Sequence, residues 1–121
     1  MAALDVRGRT ILVVDDDASI RFLCRVNLEL DGWTVRDAAT LDEARAALAD
    51  ARVAAVLLDM HVGTDNGADF LEEVRRDHRS LPVVMLTGEV GSPRLDGTAD
   101  AVITKPFRLE ELVGTVARVA G

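Results

Sequence analysis

At 121 residues, 49% apolar and 29% charged, the chain has the size and composition of one compact domain with a sizeable core, not of a disordered tail. Fourteen basic against twenty-one acidic residues leave a net charge of −7, which disfavours phosphate backbones and anionic lipid as partners and favours cations or basic protein faces. Phe22, Trp33, Phe70 and Phe107 are too scattered for a base-stacking platform, one cysteine and two histidines give no zinc spacing, and no apolar run approaches the roughly 18 residues of a membrane span.

From the N-terminus onward, short β-branched runs alternate with longer stretches of helical periodicity. Residues 1–5 lack the charged and apolar regions of a secretory signal, so a cytoplasmic location is expected. Strands are predicted at 10–14, 33–36, 53–58, 82–86 and 101–104, mostly near-continuous apolar runs, as parallel strands covered on both faces require. The first helix, 18–30, stops at Asp31-Gly32. The second, 41–49, follows Thr40 with Glu43 three residues on, a capping box. The third, 68–78, carries Phe70, Leu71 and Val74, and the last covers 109–120. The connection 88–100 holds Gly88, Gly91, Pro93 and Gly97 with few large apolar side chains, so at most a turn or two of helix is expected there. Cys24 falls in the apolar pattern of the first helix and reads as a small core residue without function.

This alternation predicts an α/β fold, a three-layer doubly wound five-stranded parallel sheet, whose ligands collect beyond the carboxyl ends of the strands. The residues just past the strands are Asp15-Asp16-Asp17, Asp37, Asp59, Thr87 and Lys105-Pro106. Taken singly each is ordinary: an Asp triplet suits a solvated helix N-terminus, and Lys-Pro or a post-strand Thr is common punctuation. As an ordered set they say more. Asp15, Asp16 and Asp59 would crowd like charges at one sheet edge, a strain that a divalent cation relieves. Magnesium suits hard oxygen ligands beside a phosphate. A nucleophilic carboxylate, a cation at Lys105 and a hydroxyl donor at Thr87 complete a set for phosphoryl transfer.

The stretches Ile11-Leu12-Val13-Val14-Asp15-Asp16-Asp17, Val56-Leu57-Leu58-Asp59-Met60, Val83-Val84-Met85-Leu86-Thr87 and Ile103-Thr104-Lys105-Pro106-Phe107 resemble the receiver domain of bacterial two-component response regulators, over essentially the whole chain. That resemblance implies strand order 2-1-3-4-5 and a single receiver domain over residues 1–121. It implies that Asp59 accepts a phosphoryl group from phosphohistidine on a sensor histidine kinase or histidine phosphotransfer protein. Magnesium would be held by Asp16, Asp59 and the backbone carbonyl of His61, with Asp15 acting through water. Thr87 and Lys105 would hold the phosphoryl oxygens, and the Lys105-Pro106 bond is expected to be cis. The expected output is altered affinity for a downstream protein, by a monomer or weak dimer that binds neither nucleic acid nor membrane and is not a turnover enzyme.

The sequence also departs from that family. Where receivers commonly place Pro four residues after the phosphoacceptor and then a Gly-x-Asp-Gly turn, this chain has Gly63, Thr64, Asp65, Asn66 and Gly67, which still favours a tight turn into the third helix. Position 102, usually aromatic, is Val102, whose branched side chain has little rotameric reach. The separation of Thr87 from Lys105 is short, so the family's fourth helix is expected to be shortened or missing. His61 and Glu89 flank the path of an attacking water or are merely solvated rim residues. On the first helix, Ile20, Arg21 and Leu23, with Arg25, form adjoining stripes beside Asp16 that dock the histidine-bearing partner in receivers, or else divide into core and solvated face. Two rival readings remain: a receiver-like module that docks without phosphorylation, and a receiver excised from a larger regulator. An aspartyl-nucleophile phosphatase is disfavoured, because such enzymes usually carry a second Asp where this chain has His61.

Overall fold

The computed structural model describes residues 9–50, 52–88 and 99–121. In chain order the elements are β1 (Thr10–Val14), α1 (Ala18–Leu30), β2 (Thr34–Ala38), α2 (Leu41–Asp50), β3 (Val53–Asp59), β4 (His61–Val62), β5 (Asp65–Asn66), α3 (Gly67–Asp77), β6 (Val83–Thr87), β7 (Ala101–Thr104) and α4 (Leu109–Ala120). Five strands form one parallel sheet in the order β2-β1-β3-β6-β7, the expected 2-1-3-4-5 once the small β4-β5 hairpin is set aside. Residues 89–98, where the sequence predicts a shortened or missing fourth helix, and Glu89 with them, lie outside the described residues.

The apolar strand runs divide by alternation, because successive side chains point to opposite faces of a strand. Leu12, Val14, Val56, Leu58, Val83 and Met85 pack with Phe70, Leu71 and Val74 of α3 and Ala44 and Ala47 of α2. Ile11, Val13, Leu57, Val84, Leu86 and Ile103 pack on the other side with Cys24 and Leu28 of α1 and Leu112 and Val116 of α4. Both faces of β1, β3 and β6 are therefore sealed. Each fully buried Leu, Ile or Val contributes about 1.5–3 kcal/mol, so the middle of the sheet is the stable frame on which the strand ends are held. Cys24 is buried as expected, and burial pushes its thiol pKa up to about 12, which leaves it protonated and inert.

Local signals account for most helix ends. The Asp17 side chain caps α1 by accepting from the Ser19 amide at 2.8 Å. Beyond its C-terminus, Gly32 adopts φ 102°, and the amides of Gly32 and Trp33 donate back to the carbonyls of Glu29 and Leu28. That return explains why β2 begins at Thr34 and not at Trp33, which belongs to the helix exit. Thr40 caps α2 through the Glu43 amide, while the Glu43 carboxylate accepts from Ala39, one residue earlier than a strict capping box. Pro82 has no N–H to offer the ladder, and β6 starts one residue later.

One element is absent from the sequence reading. After β3 the chain forms a hairpin in which His61 pairs with Asn66 and Val62 with Asp65, so Gly63 and Thr64 make a two-residue turn. Gly63 has φ 64°, the positive value that a type II′ turn asks of its first central residue. Asn66 then caps α3 by accepting from the Ala68 amide. Gly67 is required at the root of the hairpin, since a Cβ there would overlap the Asp59 carbonyl oxygen; its amide donates to the Met60 carbonyl at 2.6 Å.

Candidate phosphoryl and metal site

The carboxyl ends of β1, β3, β6 and β7 bring the predicted polar residues to one place. Parallel pairing sets Asp59 beside Leu86 and Thr87 beside Thr104, so the last residues of three neighbouring strands lie at nearly the same level. Asp15 follows β1 directly and is completely buried, Asp59 ends β3 and is 8% exposed, and Thr87 ends β6 at 1%. Asp16 is exposed. The carboxylates of Asp15, Asp16 and Asp59 each present an oxygen, and these oxygens lie within 4.8 Å of one another.

Lys105 enters from the end of β7. Its amide donates to the Thr87 carbonyl at 2.7 Å, and its Nζ lies 3.1 Å from Asp15 Oδ2 and 3.0 Å from Asp59 Oδ1. The Lys105-Pro106 peptide is cis, as expected. Burial by itself would lower the Lys105 pKa, but its hydrogen bond to Asp59 and the charge of Asp15 outweigh that, and the pKa lies above the ordinary lysine value. Burial pushes the Asp15 pKa up, helped by the Asp59 charge and opposed by the Asp17 amide and Lys105. Among the described residues Lys105 pairs with two of the three clustered carboxylates, Asp15 and Asp59, an imbalance that a hard divalent cation would remove, and the donors present fit magnesium.

Two more residues touch the cluster: Arg21, which the sequence sets beside Asp16 only as a docking candidate, and Gly63, which it sets in a turn. Arg21 Nη1 donates to the Asp15 backbone carbonyl at 2.6 Å, and its Nε lies 3.6 Å from Asp37. The Gly63 amide donates to Asp16 Oδ2 at 3.0 Å. Neither leaves a sequence signal, because one contact is made to backbone and the other from it. Of the three docking candidates, Ile20 packs partly buried against the core beside α1 and Arg21 is turned toward the site, whereas Leu23 is exposed alongside Phe22, Val26 and Leu30. His61 sits two residues past Asp59 at the start of β4, with an exposed side chain. Val102 is exposed on β7. Among the described residues no helix is long and apolar enough to cross a membrane.

A family model described as "Response regulator receiver domain" matches residues 11–117. The phosphate regulon transcriptional regulatory protein PhoB of Pseudomonas aeruginosa is 34% identical over 118 residues, covering 93% of this chain and 52% of the relative. The chain thus spans about half the length of the curated relatives it matches. Among solved structures, a CheY-like response regulator receiver domain protein from Methanospirillum hungatei superposes with a TM-score of 0.85 at 28% identity, covering 93% of each chain. TrrA from Thermotoga maritima, solved in complex with Mg2+ and BeF, gives a TM-score of 0.82 at 26% identity, covering 92% of this chain and 98% of that one.

Proposed function

The chain belongs to the response regulator receiver domain family, whose members are phosphorylation-dependent signalling switches, and from that premise we propose that residues 1–121 form one receiver domain with Asp59 as phosphoacceptor. The donor is a phosphohistidine on a sensor histidine kinase or histidine phosphotransfer protein, and the output is a change in affinity for a downstream protein. The observation that carries this reading is the convergence of Asp15, Asp16 and Asp59 with the Lys105 ammonium bridging two of them.

The chemistry rests on those positions. A carboxylate oxygen of Asp59 attacks phosphorus; the O–P bond forms as the P–N bond breaks, and the imidazole leaves with the electron pair. Lys105 pairs with charge developing on the phosphoryl oxygens, and the Thr87 hydroxyl donates to another. Magnesium would be held by Asp16, Asp59 and the His61 backbone carbonyl, with Asp15 acting through water; when bound, it neutralises charge between the carboxylate and the incoming phosphoryl group. Arg21 steadies the Asp15 backbone. The domain turns over no second substrate beyond loss of its own phosphoryl group, and Leu23 contributes to docking the histidine-bearing partner.

Intact mass after incubation with acetyl phosphate tests the reading. A single phosphoryl adduct is expected on the wild type with magnesium, and none on Asp59→Asn or without the metal. An unmodified wild type that also fails to bind magnesium would leave phosphorylation-independent docking as the better account.

A further inference from the structure

The three carboxylates are not held alike. Asp15 accepts from the Asp17 amide on one oxygen and from Lys105 on the other, and Asp59 is buried against the same ammonium group. Asp16 is exposed, and neither Lys105 nor the core restrains it; its hydrogen bond among the described residues comes from the Gly63 amide, to Oδ2 at 3.0 Å. An exposed Asp side chain otherwise samples several rotamers and must give up that freedom when it binds an ion.

The hairpin explains why that amide is available. In a two-residue turn the closing hydrogen bond runs between the flanking residues, here Val62 and Asp65, so the N–H of the first central residue is not used by the turn. Gly63 occupies that position with φ 64°, and its amide donates out of the hairpin to Asp16. The hairpin is anchored at its root as well, by the Gly67 amide on the Met60 carbonyl. The donor is therefore carried on a short, two-point-fixed element. Proline at position 63 would have no N–H to give and could not adopt this φ.

We propose that the Gly63 peptide N–H is the positioning group for Asp16: by holding Oδ2 it fixes the carboxylate rotamer and leaves Oδ1 directed to the cation. This rests on the magnesium site proposed above and adds to it a main-chain partner from the loop after β3. Carboxylates that bind metals depend on such outer partners, and losing one typically weakens binding about 10–100-fold.

The most selective test removes the donor and keeps every side chain, at the cost of a weaker acceptor at the Val62 carbonyl. Glycolic acid in place of Gly63, introduced by suppression with the hydroxy acid, replaces the Val62–Gly63 amide by an ester and leaves every side chain unchanged. Magnesium affinity, measured by calorimetry on the unphosphorylated protein, is expected to fall about tenfold. Gly63→Asn keeps the N–H and adds a Cβ that meets nothing within 4 Å but strains the backbone at φ 64°, so a smaller loss than in the ester is expected. As a second readout, Asp16→Ala should speed hydrogen exchange at the Gly63 amide while the Gly67 amide stays protected. An ester variant that binds magnesium as tightly as the wild type would overturn the positioning role while leaving the site intact. Equal losses in the ester and Gly63→Asn would overturn it in favour of loop shape. A wild type that binds no magnesium would sink the site itself, and the positioning role with it.

Discussion

On the surface between α2 and α3, Arg45 meets Glu73 through Nε and Nη2 at 2.7 and 3.0 Å, reaches Asp42 at 2.8 Å and lies over the Phe70 ring. At the carboxyl edge of the sheet, three carboxylates crowd together, two of them buried and paired with the Lys105 ammonium. The first arrangement matches opposite charges in solvent and ties two helices together. The second places excess negative charge in a partly dry site, at the ends of strands whose interiors are fully buried. Charge that serves the fold is matched where it stands, whereas charge that serves chemistry is left unbalanced and held in place by its surroundings.

Lys105→Ala probes the unbalanced region hardest. It removes the cation that bridges Asp15 and Asp59, and phosphorylation from acetyl phosphate is expected to slow by about 10²–10³. The same variant should lose stability without metal and recover more of it than the wild type on adding magnesium. A phosphorylation rate unchanged from wild type, followed by mass spectrometry, would break the comparison.

Asp15→Asn should sharpen it by separating stability from function. The fold raises the Asp15 pKa, chiefly by burial, so the ionised group destabilises the native state above that folded pKa, and the penalty fades as pH falls through it. Removing the charge is expected to raise the metal-free melting temperature by a few degrees at neutral pH and to weaken magnesium binding. A lower melting temperature would mean that the pairing with Lys105 outweighs the burial cost.

The smallest effect belongs to the matched region. Glu73→Gln on α3 should cost about 0.2–1 kcal/mol, the usual worth of an exposed ion pair. The Arg45 hydrogen bond lowers the Glu73 pKa below its ordinary 4.5. Its contribution is therefore complete above that value and lost as pH falls through the lower folded one. Denaturant melts of wild type and Glu73→Gln should converge in strong acid. A difference that persists there would assign the effect to packing on Phe70.

Much of this arrangement is legible in the sequence. The strands are readable because both their faces are covered, which makes 53–58 and 83–86 continuous apolar runs, and Asp17, Thr40 and Gly32 announce helix ends. The site is readable because parallel strands carry the residues at their carboxyl ends to one edge, bringing Lys105 to Asp15 across 90 positions. The hairpin after β3 is not readable: His61-Val62 and Asp65-Asn66 are too short to show alternation, and its sole cue is a glycine. Periodicity on α1 also does not separate Arg21, which turns inward to the Asp15 carbonyl, from Leu23, which faces solvent. Both residues fall on the same helical stretch, and only the packed neighbours decide their direction.

The most direct test of the account is to locate the phosphoryl group itself. An aspartyl phosphate is an acyl phosphate, which borohydride reduces to homoserine. After reaction with acetyl phosphate and magnesium, reductive trapping and peptide sequencing by mass spectrometry should find homoserine at position 59 and nowhere else. Homoserine at position 15 or 16, or an adduct that survives in Asp59→Asn, would contradict the assignment of Asp59 as the nucleophile.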